Sequence, residues 1–221
     1  MKEKETSKWH YLVFLIYPLL SLVYYIKYIK SFERALSFML YVAVSFIVMV
    51  LLWKIISAVN SRFDLKKISV ISVTAAVLAA VDQLIKLVLS KTGFETKLIS
   101  NIFMIKQTHN VNQTGLFNFL KIETSQTSML IFKAVLLVLV ICLYRLFKSD
   151  TAKKAYVFAA AAVTSHLLDT VFYGYTLDYI FFRKIIVYDM KDYYVDVFVA
   201  ALIIIVIGNE LKKSKEKKKV I

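Results

Sequence analysis

A single cysteine, Cys142, excludes an internal disulfide framework and any cysteine-built metal cage. The three histidines, His10, His109 and His166, are scattered without Cys/His ligand spacing, so no metal site is expected. One proline and four glycines among 221 residues leave no turn-rich linker, and neither an internal repeat nor a low-complexity segment breaks the chain. Acidic residues are also scarce, 15 against 29 lysines and arginines, giving a net charge of +14. That excess could suggest nucleic acid. The basic residues, however, gather in short segments between apolar runs and in the tail "LKKSKEKKKVI", as the positive-inside rule places them in a membrane protein, so nucleic-acid binding is not expected.

What remains is apolar. Hydrophobic residues make up 59% of the chain, too many for a soluble domain, and the chain is too long for one span. A span needs about 20 mostly apolar residues. Six windows qualify, near 9–28, 36–58, 68–90, 127–147, 155–173 and 193–210. The charged start followed by a long apolar stretch lacks a small-x-small cleavage site and reads as the first retained span. The expected fold is an all-α polytopic membrane protein with six transmembrane helices. A small extracytoplasmic β-like segment is expected between the third and fourth, and the aromatic, charged stretch between the fifth and sixth is expected to lie in the interface or over the helix ends. Basic density places both termini in the cytoplasm, with "KYIKSFER" a local violation.

Composition shifts near residue 65. The first two spans hold almost no ionisable residue in their cores, whereas the later ones do. This divides the chain into an N-terminal helical pair (1–65), a functional four-helix unit (66–211) and a basic cytoplasmic tail (212–221).

Intramembrane charges are costly and usually line a site or face a partner. Asp82 and Lys86 in the third span, Asp169 in the fifth and Asp196 in the sixth all fall in the outer leaflet under this topology. Each also has a plain structural role open to it. Asp82 and Lys86 stand at i,i+4 and can neutralise each other. Asp196 can cap the sixth helix near its positive end. Asp178 and Asp192 read as interfacial, water-exposed residues without function. Asp169 is hardest to explain structurally, because it lies at the negative end of its helix with no basic residue one turn on. Two carboxyls held close share a proton, so one can activate water while the other protonates a scissile carbonyl. Asp169 with Asp196 is the expected pair. A proton-coupled transporter uses the same kind of arrangement, and the carboxylates alone leave that reading open.

The segments "VDQLIK" (81–86), "HNVNQTGLFNFL" (109–120), "SHLLDTVFYGYTLDYI" (165–180) and "YYVDVF" (193–198) occur in the order of the motifs of signal peptidase II, the lipoprotein signal peptidase. That family carries Asp-x-x-x-Lys, Asn-x-Gly-Ala-Ala-Phe, Gly-Asn-x-x-Asp-Arg and Phe-Asn-x-Ala-Asp, and residues 68–211 resemble it nearly without gaps. The resemblance implies a membrane aspartyl endopeptidase that removes signal peptides from diacylglyceryl-modified prolipoproteins at the outer face of the bacterial membrane. Its partners are that substrate and membrane lipid, and no cofactor is implied. By position it makes Asp169 and Asp196 the catalytic aspartates, with Asn112, Asp82 and Lys86 supporting them or binding substrate. It sets 91–126 against an extracytoplasmic β-cradle and 175–190 against a loop near the site. Several positions depart from the family. Ser165-His166 replaces Gly-Asn, Thr170 replaces Arg, Tyr193 replaces the last Asn, and Gly115 follows Thr114 where a glycine belongs. His166 and Tyr193 are the expected substitutes as hydrogen-bonding groups. A family member that has lost catalysis and binds lipoproteins is the alternative these changes favour. The two N-terminal spans have no counterpart in the usual four-helix family.

Overall fold

A computed structural model describes residues 9–99, 102–110, 125–183 and 186–217, with side chains to residue 211. Six helical stretches are long and apolar enough to cross a membrane: Trp9–Tyr28, Phe32–Arg62, Ile68–Thr92, Gln126–Leu146, Asp150–Tyr173 and Met190–Leu211. These match the six expected spans. The first is segmented into α1 (Trp9–Leu20), α2 (Leu22–Tyr25) and a 3-10 turn, because Pro18 cannot continue the hydrogen-bond ladder. The Pro18 carbonyl accepts from the Ser21 N–H at 3.3 Å and from the Ser21 hydroxyl at 2.6 Å. The remaining helices are α3 (Phe32–Arg62), α4 (Ile68–Thr92), α5 (Gln126–Leu143), α6 (Asp150–Tyr173) and α7 (Met190–Lys217).

Serines start three of them. Ser31, Ser125 and Ser149 each accept a bond from the backbone N–H three residues on, satisfying a donor the helix leaves open. Gly93 and Gly174 end α4 and α6 in the left-handed conformation. Gly174 suits its position because its φ of +74° is one that residues with a Cβ rarely adopt, and a Cβ there would also push aside the end of the Gln126 side chain.

Helix α4 shows how the bundle is read from its sequence. Ile71, Ala75, Ala79, Asp82, Lys86 and Leu89 recur at three- and four-residue spacing and are all buried. Val73, Val77, Leu84 and Val88 face outward on the opposite side, where lipid replaces water as the contact. Asp82 and Lys86 therefore sit in the stripe turned toward α6. Small residues let the helices approach closely there: Ala155, Ala161 and Ala162 of α6, and Ala200 and Ala201 of α7, are buried in the central core.

The segments flanking α5 and α6 form one antiparallel sheet in the order β1 (Thr96–Ile99), β2 (Phe103–Asn110), β3 (Thr176–Phe182) and β4 (Ile186–Tyr188). The expected β-like segment thus supplies only half of the sheet. The stretch after α6, expected to lie in the interface, supplies the rest. It escaped notice because β3 is buried along nearly its whole length, without the alternation that marks a half-exposed strand. A register shift between Ile105 and Thr108 sets Asp178 opposite Thr108.

The N-terminal helices pack on α7 and on the sheet. Phe14 of α1, Met49 and Trp53 of α3, and Tyr193 and Val197 of α7 share one core. The Ser37 hydroxyl donates to the Ile102 carbonyl at 3.0 Å, Tyr41 and Tyr188 join their hydroxyls at 3.1 Å, and Glu33 pairs with Arg183.

Candidate active site

The first turn of α7 carries the site. The Asp189 side chain accepts from the Asp192 N–H at 3.1 Å, and the Asp192 side chain accepts from the Asp189 N–H at 3.1 Å. This reciprocal pattern is a capping box, and it fixes two carboxyl groups at the positive end of a helix. Strand β3 brings Asp178 to them. Oxygens of Asp178, Asp189 and Asp192 all lie within 4.8 Å of one another. Three carboxyls this close need a counter-cation or shared protons, and the chain supplies the cation. The buried Lys191 ammonium pairs with Asp189, lies 3.3 Å from Asp178 Oδ1 and reaches 3.5 Å from Asp169 Oδ2.

Behind this cluster Lys86 is wholly buried and binds Asp82 at 2.6 Å, Asp169 at 2.8 Å and Asp189 at 2.8 Å. Asp169 also accepts from Gln83 Nε2 at 2.8 Å. Asp82 accepts from the Ser165 hydroxyl and, at 3.3 Å, from the Tyr179 hydroxyl. Tyr179 in turn accepts from the Met190 N–H at 3.2 Å, tying this inner layer to the start of α7.

A cavity of about 500 Å³ opens beside the cluster, with Asn110, Lys133, His166, Asp178, Asp192 and Asp196 on its walls. The Asn110 amide donates to Asp178 Oδ2 at 3.1 Å. Burial pushes the Asp178 carboxyl above the ordinary carboxylate range. Lys191 opposes that rise, the Asp189 charge adds to it, and the Asn110 bond opposes it again. Asp189 is drawn the other way. Burial works against its charge, yet Lys191 and Lys86 hold it down to about 2, so it stays ionised at any pH near neutrality.

The residues singled out in the sequence take distinct places. Asp82 and Lys86 form the expected i,i+4 pair, and Lys86 additionally bridges three elements. Asp169 finds its cation on another helix, which a search along its own helix could not reveal. Asp196 sits on the wall of the cavity, with its Oδ2 buried and without a hydrogen-bond partner among the described residues. His166 lines the cavity, while Gln83 and Lys86 are the donors on Asp169. Tyr193 is buried against Tyr188, with ring centroids 5.3 Å apart, in the core shared with α3. Asn112 lies outside the described residues.

The reading of Asp178 and Asp192 as water-exposed interfacial groups is corrected. Asp178 is 5% exposed and Asp192 is half-buried, because the sheet and the N-terminal helices cover this end of the bundle. A signal for them was present. Asp178 follows Asp169 by nine residues, and "YDMKD" (188–192) fits the aromatic-polar-x-x-Asp shape of Phe-Asn-x-Ala-Asp.

A family model described as signal peptidase (SPase) II matches residues 74–208, more than half of the chain. The protein belongs to the signal peptidase II family. Membership makes it one of a family of aspartic peptidases of the bacterial membrane. The fold agrees with two solved bacterial membrane enzyme structures obtained by the in meso method. That at 2.3 Å resolution has TM-score 0.52 and 17% identity, covering 67% of this chain and 92% of that chain. That at 1.9 Å has TM-score 0.50 and 16% identity, covering 64% and 92%. No curated protein matches the chain. The family match begins at residue 74, inside α4, so α1 to α3 lie outside it.

Proposed function

We propose that this family member is a catalytically competent lipoprotein signal peptidase whose aspartyl dyad is Asp178 and Asp192, replacing the expected pair Asp169 and Asp196. The observation that carries the reading is the approach of the Asp178 and Asp192 carboxyls within 4.8 Å, both on the wall of the cavity. Asp169 is engaged by Lys86 and Gln83 and serves as part of the charged floor on which the dyad rests.

The dyad holds one proton. Its ionised member takes a proton from a water as the oxygen attacks the scissile carbonyl carbon, and its protonated member gives a proton to the carbonyl oxygen. Collapse of the resulting gem-diol breaks the C–N bond, and the proton taken from water passes to the leaving amine. The bond cut is the one before the diacylglyceryl-modified cysteine of a prolipoprotein. Asn110 steadies Asp178, while His166 and Lys133 line the space for the peptide.

Both termini are cytoplasmic in this account, which puts the sheet and the dyad at the outer face. The N-terminal pair acts as a brace: the Tyr41 hydroxyl bonds that of Tyr188 on the wall.

The test is expression in bacteria depleted of their own lipoprotein signal peptidase, with signal-peptide removal from a diacylglyceryl-modified prolipoprotein followed by mass spectrometry. Wild type is expected to cleave, and Asp178→Asn and Asp192→Asn are expected not to. Correctly inserted wild type that retains intact prolipoprotein on its surface without cleaving it would support the binding reading instead.

A further inference from the structure

Laid on residues 188–192, the family pattern Phe-Asn-x-Ala-Asp acquires two charges together, Asp189 at the Asn position and Lys191 at the Ala position. The two side chains pair directly, so the exchange adds no net charge. It does place an ammonium against one member of the dyad. Lys191 is 3% exposed, and its nitrogen lies 3.3 Å from Asp178 Oδ1.

The two members of the dyad are therefore not equivalent. Asp178 accepts from Lys191 on one oxygen and from Asn110 on the other, and an acceptor with both oxygens engaged by donors is favoured in its ionised form. Asp192 accepts a backbone N–H through Oδ2. The helix N-terminus and the Lys191 charge favour ionised Asp192 too, but Lys191 donates a hydrogen bond to Asp178, and a charge-assisted bond outweighs a field acting without one.

We propose that Lys191 is a positioning residue that fixes the proton of the dyad on Asp192 and keeps Asp178 ionised as the base that activates water. The proposal rests on the Asp178–Asp192 assignment above. Every other charged or titratable group among the described residues that faces Lys191 is part of the balance. Asp82 and Lys86 face it from α4, Lys133 from α5, His166 and Asp169 from α6, and Asp178, Asp189 and Asp192 from the sheet and the start of α7. Lys86 binds the inner-layer carboxylates Asp82 and Asp169, whereas Lys191 forms an ion pair with the dyad.

The experiment compares wild type, Lys191→Met and the charge-balanced Asp189→Asn/Lys191→Ala in full-length protein reconstituted in lipid nanodiscs. A fluorogenic peptide bearing a diacylglyceryl cysteine gives the pH–rate profile, and the protonated-carboxyl infrared band gives a titration that needs no turnover. Removing Lys191 raises the pKa of Asp178, so the acid limb of kcat/KM moves to higher pH by roughly one to three units. The infrared titration moves with it. The balanced variant is included because Lys191→Met strands buried carboxylates and can fail to fold. A folded Lys191→Met, or a folded balanced variant compared with Asp189→Asn alone, that cleaves with an unmoved acid limb and unmoved infrared titration would overturn the role of Lys191 alone. Wild type that cleaves nothing would overturn the peptidase reading, and the infrared titration would still decide where the proton sits.

Discussion

Replacing Lys86 by methionine tests the floor beneath the dyad. The ammonium is wholly buried and lies within 2.8 Å of oxygens on Asp82, Asp169 and Asp189, which come from α4, α6 and the start of α7. Methionine keeps most of the volume and removes the charge. Breaking a buried ion pair costs about 3–5 kcal/mol, because the stranded partner stays desolvated. Lys86→Met strands Asp82 and takes one of two cations from Asp169 and Asp189, which puts it at the upper end of that range. A change of 1 kcal/mol moves Tm by roughly 2–4 °C in a protein of this size, so the expected fall is roughly 10–20 °C near neutral pH. The assay is thermal unfolding in detergent, read by the fluorescence of the buried Trp53. Two controls sharpen it. Lys86→Met/Asp169→Asn removes one charge of each sign and is expected to recover much of the loss. Lowering the pH protonates the stranded carboxylates and is expected to narrow the gap to wild type. A Tm within about 2 °C of wild type at neutral pH, a shift worth less than about 1 kcal/mol, would refute the claim that Lys86 holds this layer together.

Further outcomes follow from the same contacts. Asp189, held down to about 2, contributes stability that is present above its unfolded pKa near ~3.9 and lost as pH falls through about 2; Asp189→Asn should flatten the acid limb of Tm against pH over that window. Asp178 has the opposite sign: its raised pKa makes the fold lose stability as pH rises from the ordinary carboxylate range through the raised value, and Asp178→Asn should remove that slope. Gly174→Ala combines a left-handed backbone with a Cβ 2.8 Å from Gln126, and should cost about 1 kcal/mol or more in unfolding measurements. Tyr41→Phe deletes the hydroxyl bonded to Tyr188 and should cost about 0.5–1.5 kcal/mol by the same measure.

The parts of this molecule governed by local rules were readable in advance. Apolar runs of about 20 residues specify the spans whatever packs beside them. Asp82 and Lys86 share a face because i and i+4 always do, so their pairing needed no fold. The dyad was a different matter. Hydropathy gave Asp169 and Asp196 membrane depth and left Asp178 and Asp192 outside the apolar runs, where they read as wet. Burial at that end comes from β3 pairing with β2 across the chain and from α1 and α3 folding over α7, both long-range events. Asp169 seemed uncompensated because its cation belongs to a helix more than 80 residues earlier. Charges brought together by tertiary structure leave a weak trace in sequence. Here the trace was Asp189-x-x-Asp192 at a helix start, a capping box that also carries one member of the proposed dyad.

The most direct measurement sets four single substitutions side by side in purified, reconstituted protein: Asp178→Asn, Asp192→Asn, Asp169→Asn and Asp196→Asn, each scored for cleavage of a diacylglyceryl-modified prolipoprotein and for Tm. The account predicts that Asp178→Asn and Asp192→Asn abolish cleavage while the protein stays folded. It predicts that Asp196→Asn still cleaves, and that any loss in Asp169→Asn tracks a fall in Tm. Cleavage that survives in Asp178→Asn or Asp192→Asn but disappears in a stably folded Asp196→Asn would contradict it.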